Sequence, residues 1–318
     1  MKKILGKVLL RYGVLLTTLI LFMIFASIEP QFASGENILN LFREACVLGL
    51  LGLAVTVVTI TGGIDLGVAP GAGMTGVLIL VLIKNHSYSV ALSFSIGIAL
   101  MIVIGIFKGM LVVNFRVPSF VATLGVGTIS IGFARLLTGG GTFYMAEWPK
   151  GFLFLGQGQI GPVPVQAILI VVIGVIVSIL LEKTRLGRYF YAVGGSMEAA
   201  RHVGIRTKLV KHYAWILNGI FGGICACVLV SMLGAGSPEM GTGFVLSAVA
   251  ATFLGAVAFK EGVPNVPGTL LAAMLLTILS NGSTMVGLRF YWKDVFQGLV
   301  LILAVGIVAL IKGFKLNE

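Results

Sequence analysis

Residues 90–112 read VALSFSIGIALMIVIGIFKGMLV, an apolar run with a single charge, Lys108, and no proline to interrupt it. A hydrocarbon layer near 30 Å thick takes roughly 20 apolar residues at the helical rise of about 1.5 Å, so the run reads as a helix that crosses a membrane. Working outward, similar runs lie near 12–28, 46–61, 67–83, 118–137, 164–181, 213–233, 245–259, 268–287 and 295–311, which makes ten. The pairs flanking 62–66 and 260–267 also read as one span plus a re-entrant piece, so about ten are expected. The runs are continuously apolar, whereas strands of a membrane barrel alternate between lipid and lumen over about ten positions. An all-α polytopic bundle is therefore expected, forming a single transmembrane domain over residues 1–318.

Hydrophobic residues make up 58% of the chain, charged residues 10%, and the mean hydropathy is +1.09, values that exclude a water-soluble globule. Cytoplasmic loops retain Lys and Arg. With the N-terminus inside, only Arg43, Lys84, Arg135, Lys150, Arg289 and Lys293 of the 22 basic residues fall outside, which predicts both termini in the cytoplasm. The formal charge of +11 is then a topology signal, and nucleic acid is not expected as a partner because there is no soluble basic face. The basic, then apolar, start over residues 1–30 also fits a secretory signal. An uncleaved first span is the expectation, since cleavage would leave nine spans and invert the charge-rich loops. Cys46, Cys225 and Cys227 fall within predicted spans and read as small packing residues, without the His or second Cys pair that a zinc site needs.

Two connections are longer than a connector needs to be. Residues 138–163, placed outside, carry Gly139, Gly140 and Gly141, then Trp148, Pro149 and Pro162. They read as an irregular surface segment that receives an extracytoplasmic partner, or as a long loop with interfacial aromatics. Residues 182–212, placed inside, contain GGSMEAARHVGI from Gly194 to Ile205. Ser196 suits an N-cap, Glu198 the positive first turn and Gly204 a left-handed stop. A two-turn helix is predicted there, with Met197, Ala200 and Val203 as its apolar stripe. That stripe is too small to bury against its own bundle; it docks into a groove on another protein or lies on lipid headgroups.

An ionisable residue inside a span is costly and reads as functional by default. Lys108 and Arg135 lie close to their helix ends and are expected to snorkel. Asp65 differs, because it sits in TGGIDLG, residues 61–67, where Gly62 and Gly63 end one helix and Gly67, Pro70, Gly71 and Gly73 keep the next segment irregular. Broken backbone at membrane depth is tolerated where protein buries it or a watery path receives it. Thr61, Gly62, Gly63 and Asp65, with Thr123 and Asn281 from other spans, are the candidate path residues. Asp65 either bonds a passing solute or caps the following helix as a structural anion, and capping is the expected role. A second interruption, KEGVPNVPG from Lys260 to Gly268, supplies the paired breaks of a duplicated transporter. Gly105 with Gly109, and Gly219 with Gly223, mark close helix packing.

No G-x-x-x-x-G-K-[ST], H-E-x-x-H or G-x-S-x-G string occurs, and His86, His202 and His212 fall in loops or at helix ends. No enzyme activity, cofactor or metal is expected. Uphill transport then draws on an ion gradient or on another subunit.

TGGIDLG at 61–67, VPSFVATLGVGTISIGFARLLTGG at 117–140, TRLGRYFYAVGGSMEAARHVGI at 184–205 and YWKDVFQGLVLILAV at 291–305 together resemble the ribose-type permeases of ATP-binding-cassette importers, over about residues 37–311. The resemblance implies a type II importer permease fold of ten helices, both ends cytoplasmic, in a bacterial plasma membrane. It implies a second permease subunit, identical or not, two cytoplasmic ATPases that consume the ATP, an extracytoplasmic solute-binding protein and surrounding lipid. It also implies that the 196–203 helix is a coupling helix seated in a groove of the ATPase, with Ser196, Glu198, Ala199, Ala200, Arg201 and Gly204 as the positions carried over. Gly67 stands where family members usually have Ser, Ser247 lies where an acidic residue is common, and Glu261–Pro267 replaces a glycine-rich turn. A monosaccharide or sugar-like molecule is the expected cargo. Nucleosides, branched-chain amino acids and ion-coupled secondary transport are the alternatives.

Overall fold

A computed structural model describes residues 2–144, 147–259, 262–289 and 291–312. Each predicted apolar run falls on a helix. In chain order the helices are α1 (Lys2–Ile28), α2 (Gly35–Ile60), α3 (Val68–His86), α4 (Val90–Gly109), α5 (Ser119–Thr138), α6 (Phe154–Gln157), α7 (Val165–Lys183), α8 (Arg185–Gly195), α9 (Met197–His202), α10 (Thr207–Leu233), α11 (Val245–Val257), α12 (Val266–Met285) and α13 (Tyr291–Lys312). Among the described residues seven helices are long and apolar enough to cross a membrane: α2, α3, α4 with the π-helical turn Met110–Asn114 that extends it, α5, α7, α10 and α12. The apolar stretches Tyr12–Ile28 and Thr242–Val257 are shorter.

The core forms around α2, which is buried on nearly every side from Ala45 to Val58 because other helices surround it; a helix apolar all round has no face to give to water. Cys46 and Cys225 are buried in this core, where the Cys225 thiol faces the Val47 carbonyl oxygen at 3.7 Å. The glycine pairs of α4 and α10 meet as expected. A Cβ on Gly105 would run into the Trp215 carbonyl, one on Gly219 into the Met101 carbonyl, and one on Gly223 would lie 2.8 Å from the Ile98 Cα, so the two backbones touch directly.

The expected irregularity after Asp65 ends sooner than Gly67, Pro70, Gly71 and Gly73 suggest. α3 is already helical at Val68, and Pro70 sits in its first turn, where a missing N–H leaves nothing unpaired.

At one end of the bundle, the 138–163 connection is folded onto the helices. Strand β1 (Phe143–Tyr144) pairs antiparallel with β4 (Ala235–Gly236), and β2 (Gln159–Ile160) with β3 (Val163–Pro164), so the all-α expectation gains four short strands. Phe152 is fully buried, stacked on Trp148 at 4.6 Å between ring centroids and tilted against Phe94. Ser231 donates its hydroxyl to the Phe152 carbonyl and accepts the Gly156 N–H at 2.8 Å. The Gly and Pro signals in the sequence report the turns but not this aromatic anchor. We call this the strand end.

At the opposite end, residues 182–212 hold two helices rather than one, and α10 starts at Thr207 instead of near 213. Thr184 caps α8 by accepting the Gly187 N–H at 3.3 Å, and Phe190 and Val193 are buried beneath it. Alternation of these two with Arg185 and Arg188 hides α8 from a hydropathy reading. The second interruption also ends here. Asn265 accepts the Gly268 N–H at 2.8 Å to cap α12, and its amide nitrogen donates to the carbonyls of Gly255, Ala258 and Val263. Lys260 and Glu261 of that segment lie outside the described residues.

Candidate functional site

The break between α2 and α3 is held by partners from three other helices. The Ile64 N–H donates to the Ser119 hydroxyl at 3.1 Å and the Leu66 N–H to the Thr123 hydroxyl at 3.1 Å, both on α5. Asp65 accepts the Gly67 N–H on Oδ1 at 2.8 Å, a turn closed just before α3 rather than the expected cap on its first-turn N–H groups. Its Oδ2 lies 2.5 Å from the Lys108 Nζ of α4, and both side chains are closed off from solvent. Lys108 also donates to Asn218 Oδ1 of α10 at 2.9 Å, and Asn218 Nδ2 donates to the Ala54 carbonyl of α2 at 2.9 Å. The Lys108 ammonium further lies 5.5 Å from the centre of the Trp215 ring.

Lys108 therefore does not snorkel. Its stem points inward because a buried carboxylate and an amide oxygen are within reach, and a paired charge costs less inside than an unpaired one. Arg135 behaves as expected: it is exposed at the strand end, where its Nη2 pairs with Glu239 Oε1 at 2.6 Å. Glycine at 67 has a geometric reason as well, since a Cβ there would strike the Thr123 carbonyl and lie 3.3 Å from the Gly127 nitrogen.

α8 lies directly beneath this break. A Cβ on Gly194 would run into the Ile60 carbonyl oxygen, so the backbone of α8 touches the backbone that ends α2. Three residues earlier the Tyr191 hydroxyl donates to the Pro264 carbonyl at 3.2 Å, in the second interruption. Burial, and after it the charge of Glu182, push the Tyr191 phenol up to about 12, which keeps it a neutral donor. One short helix thus contacts both interruptions.

α9 follows with the predicted caps. Ser196 accepts the Ala199 N–H at 3.2 Å, Glu198 occupies the first turn, and Gly204, at φ +82°, lets the Ile205 N–H reach the Ala200 carbonyl at 3.0 Å. The predicted stripe is divided, however. Ala200 is 3% exposed and belongs to the chain's own core, while Met197 at 43% and Val203 at 76% face outward. With no bulk beyond Cβ, Ala200 lets α9 settle on the bundle, and Glu198, Ala199 and Arg201 remain on the outer surface.

The remaining path candidates separate in space. Thr61, Gly62, Gly63, Asp65 and Thr123 cluster at the break, where Thr123 is fully buried and Thr61 nearly so. Asn281 lies toward the strand end, lining a cavity of about 330 Å³ between α2, α10, α11 and α12. Sequence reading missed the rest of that lining. Thr277, Ser280, Asn281 and Thr284 recur at helical spacing on one face of α12 and all border the cavity, with Glu44, Phe244 and Ser247 opposite. The signal was available: a polar stripe at i, i+3, i+4, i+7 in a mostly apolar span. Farther into the bundle, the fully buried Thr56, Thr252 and Thr269 of α2, α11 and α12 meet hydroxyl to hydroxyl at 2.7 and 3.2 Å.

A family model described as "Branched-chain amino acid transport system / permease component" matches residues 37–305. The chain is 33% identical over 298 residues to the autoinducer 2 import system permease protein LsrC of Salmonella typhi, covering 91% of this chain and 82% of that protein. It is 32% identical over 306 residues to the ribose import permease protein RbsC of Bacillus subtilis (strain 168), with 94% and 92% covered. With the ribose import permease protein RbsC of Escherichia coli (strain K12) the identity is 30% over 293 residues, covering 92% and 91%. No solved structure matches the chain.

Proposed function

This chain belongs to the permease-component family of branched-chain amino acid transport systems, and on that premise we propose that it is the membrane-spanning subunit of an ATP-binding-cassette importer for a sugar-like solute. The observation that carries the reading is similarity over more than nine-tenths of the chain to permeases named for ribose and autoinducer 2 import. The subunit crosses the plasma membrane about ten times in a type II importer arrangement, with the α8–α9 end and both termini in the cytoplasm. It pairs with a second permease and receives solute at the strand end from a binding protein. It holds no cofactor, and ATP is consumed by cytoplasmic ATPases that grip α9 at Ser196, Glu198, Ala199, Arg201 and Gly204. Ala200 serves that grip by seating α9.

The contacts of α8 supply a mechanical route. A push on α9 is transmitted to α8 and reaches the end of α2 at Ile60 and the start of α12 through Pro264. Secondary transport would need Asp65 as an open titrating group, and its closed pairing with Lys108 argues against that role.

The test uses the complex purified with its ATPases and binding protein in proteoliposomes. ATP-dependent uptake of D-ribose, D-xylose or D-galactose is expected, and Glu198→Lys and Gly204→Val are expected to abolish solute-stimulated ATPase while the chain stays inserted. Uptake driven by an ion gradient with this chain alone would overturn the importer reading, and unchanged stimulation in both variants would remove the coupling role.

A further inference from the structure

The cavity toward the strand end has the chemistry of a binding site. Its α12 wall presents three hydroxyls and one amide in a single stripe. Polar groups inside a membrane bundle turn toward one another or toward a polar guest. The Asn281 side-chain amide oxygen is buried with no hydrogen-bond partner, an unsatisfied acceptor on a residue of the cavity wall. Opposite the stripe lie the Ser247 hydroxyl and the Phe244 ring, so polar groups and an apolar face share one chamber. A pyranose or furanose has the matching form, with hydroxyls around its rim and C–H bonds on its faces.

The size is also selective. About 330 Å³ sits at the lower end of the roughly 300–1,000 Å³ of small-molecule pockets. Glu44 is the one charged residue of the lining. With a single charged side chain among its residues, the lining suits an uncharged solute better than an ion, which would be buried without enough countercharge. The hydroxyl cluster of Thr56, Thr252 and Thr269 lies farther along the same three helices.

We infer that this cavity is a solute subsite within the permease itself, taking one uncharged, hydroxyl-rich ring, with Thr277 and Asn281 as specificity-determining residues. The inference rests on the sugar-like reading given above.

The test compares the assembled importer with its Thr277→Val and Asn281→Ala variants. The probe is whichever of D-ribose, D-xylose and D-galactose the unaltered complex imports fastest, set against its monodeoxy analogues and L-leucine. The binding protein is the same in every complex, so its own preference cancels when ratios are compared. Each variant is expected to narrow the preference for the sugar over at least one deoxy analogue by about three- to tenfold, the worth of one hydrogen bond. If the sugar enters and every ratio stays at its unaltered value in both variants, the subsite is overturned and the importer reading stands. If the unaltered complex imports L-leucine and no sugar, the functional reading fails and takes the subsite with it.

Discussion

Asp65 and Lys108 are 43 residues apart in sequence and 2.5 Å apart in the fold, each the other's countercharge inside the bundle. The pair ties the segment that separates α2 from α3 to α4, and through Asn218 to α10 and the Ala54 carbonyl of α2. Taking two charges out of water is expensive, so such a pair adds little net stability. Removing one member is what costs, because the other is left uncompensated.

Lys108→Met is therefore expected to destabilise the chain by about 3–5 kcal/mol, read as a lower unfolding temperature in detergent. Asp65→Asn combined with Lys108→Met should recover part of that loss, since no lone charge remains. A double variant as unstable as the single one would show that the ion pair is not what holds the break.

Gly194→Ala places a methyl group against the Ile60 carbonyl, whereas a Cβ on Gly195 meets nothing within 4 Å. The first substitution is expected to abolish ATP-driven uptake with insertion retained, and Gly195→Ala to leave uptake near its unaltered rate. Equal behaviour of the two neighbours would contradict a backbone contact between α8 and the end of α2.

Ser196→Ala removes the side chain that satisfies the Ala199 N–H. Loss of an N-cap costs about 0.5–2 kcal/mol, and on a helix as short as Met197–His202 that shifts the local opening equilibrium by several-fold or more. Hydrogen exchange at the Ala199 and Ala200 amides should speed up accordingly, with exchange in α10 unaffected.

Tyr191→Phe deletes the bond to the Pro264 carbonyl, at a cost of about 1 kcal/mol. A pH dependence accompanies it. The folded phenol is raised to about 12, so its contribution is present below the unfolded value of about 10 and is lost as pH climbs from there toward 12. The difference in stability between wild type and Tyr191→Phe should therefore shrink over that alkaline window; a constant difference would argue against the bond.

Much of the helical scaffold was legible because hydropathy is a local property: a run such as 118–137 must be satisfied as a helix wherever it sits in a bilayer. The α9 caps were equally local, written in Ser196 and Gly204. What failed was pairing. Lys108 looked like a snorkelling cation because its nearness to a helix end is visible in the sequence, while Asp65 and Asn218 become its neighbours only when three helices assemble. α8 was missed for a different reason: two arginines dilute the apolar signal of Phe190 and Val193, and burial at a bundle end needs only one face. The polar stripe 277–284 lay in plain view, but reading Asn281 alone left out the periodicity that gives the stripe its meaning.

The glycine contact between α4 and α10 decides where this molecule can bend. Main chain laid against main chain leaves no side-chain layer between the two rods at Gly105, Gly219 and Gly223. Those two rods are therefore expected to travel as one strut. Shape change during a transport cycle is then expected at the threonine-lined contact of α2, α11 and α12, where a hydroxyl can exchange one partner for another.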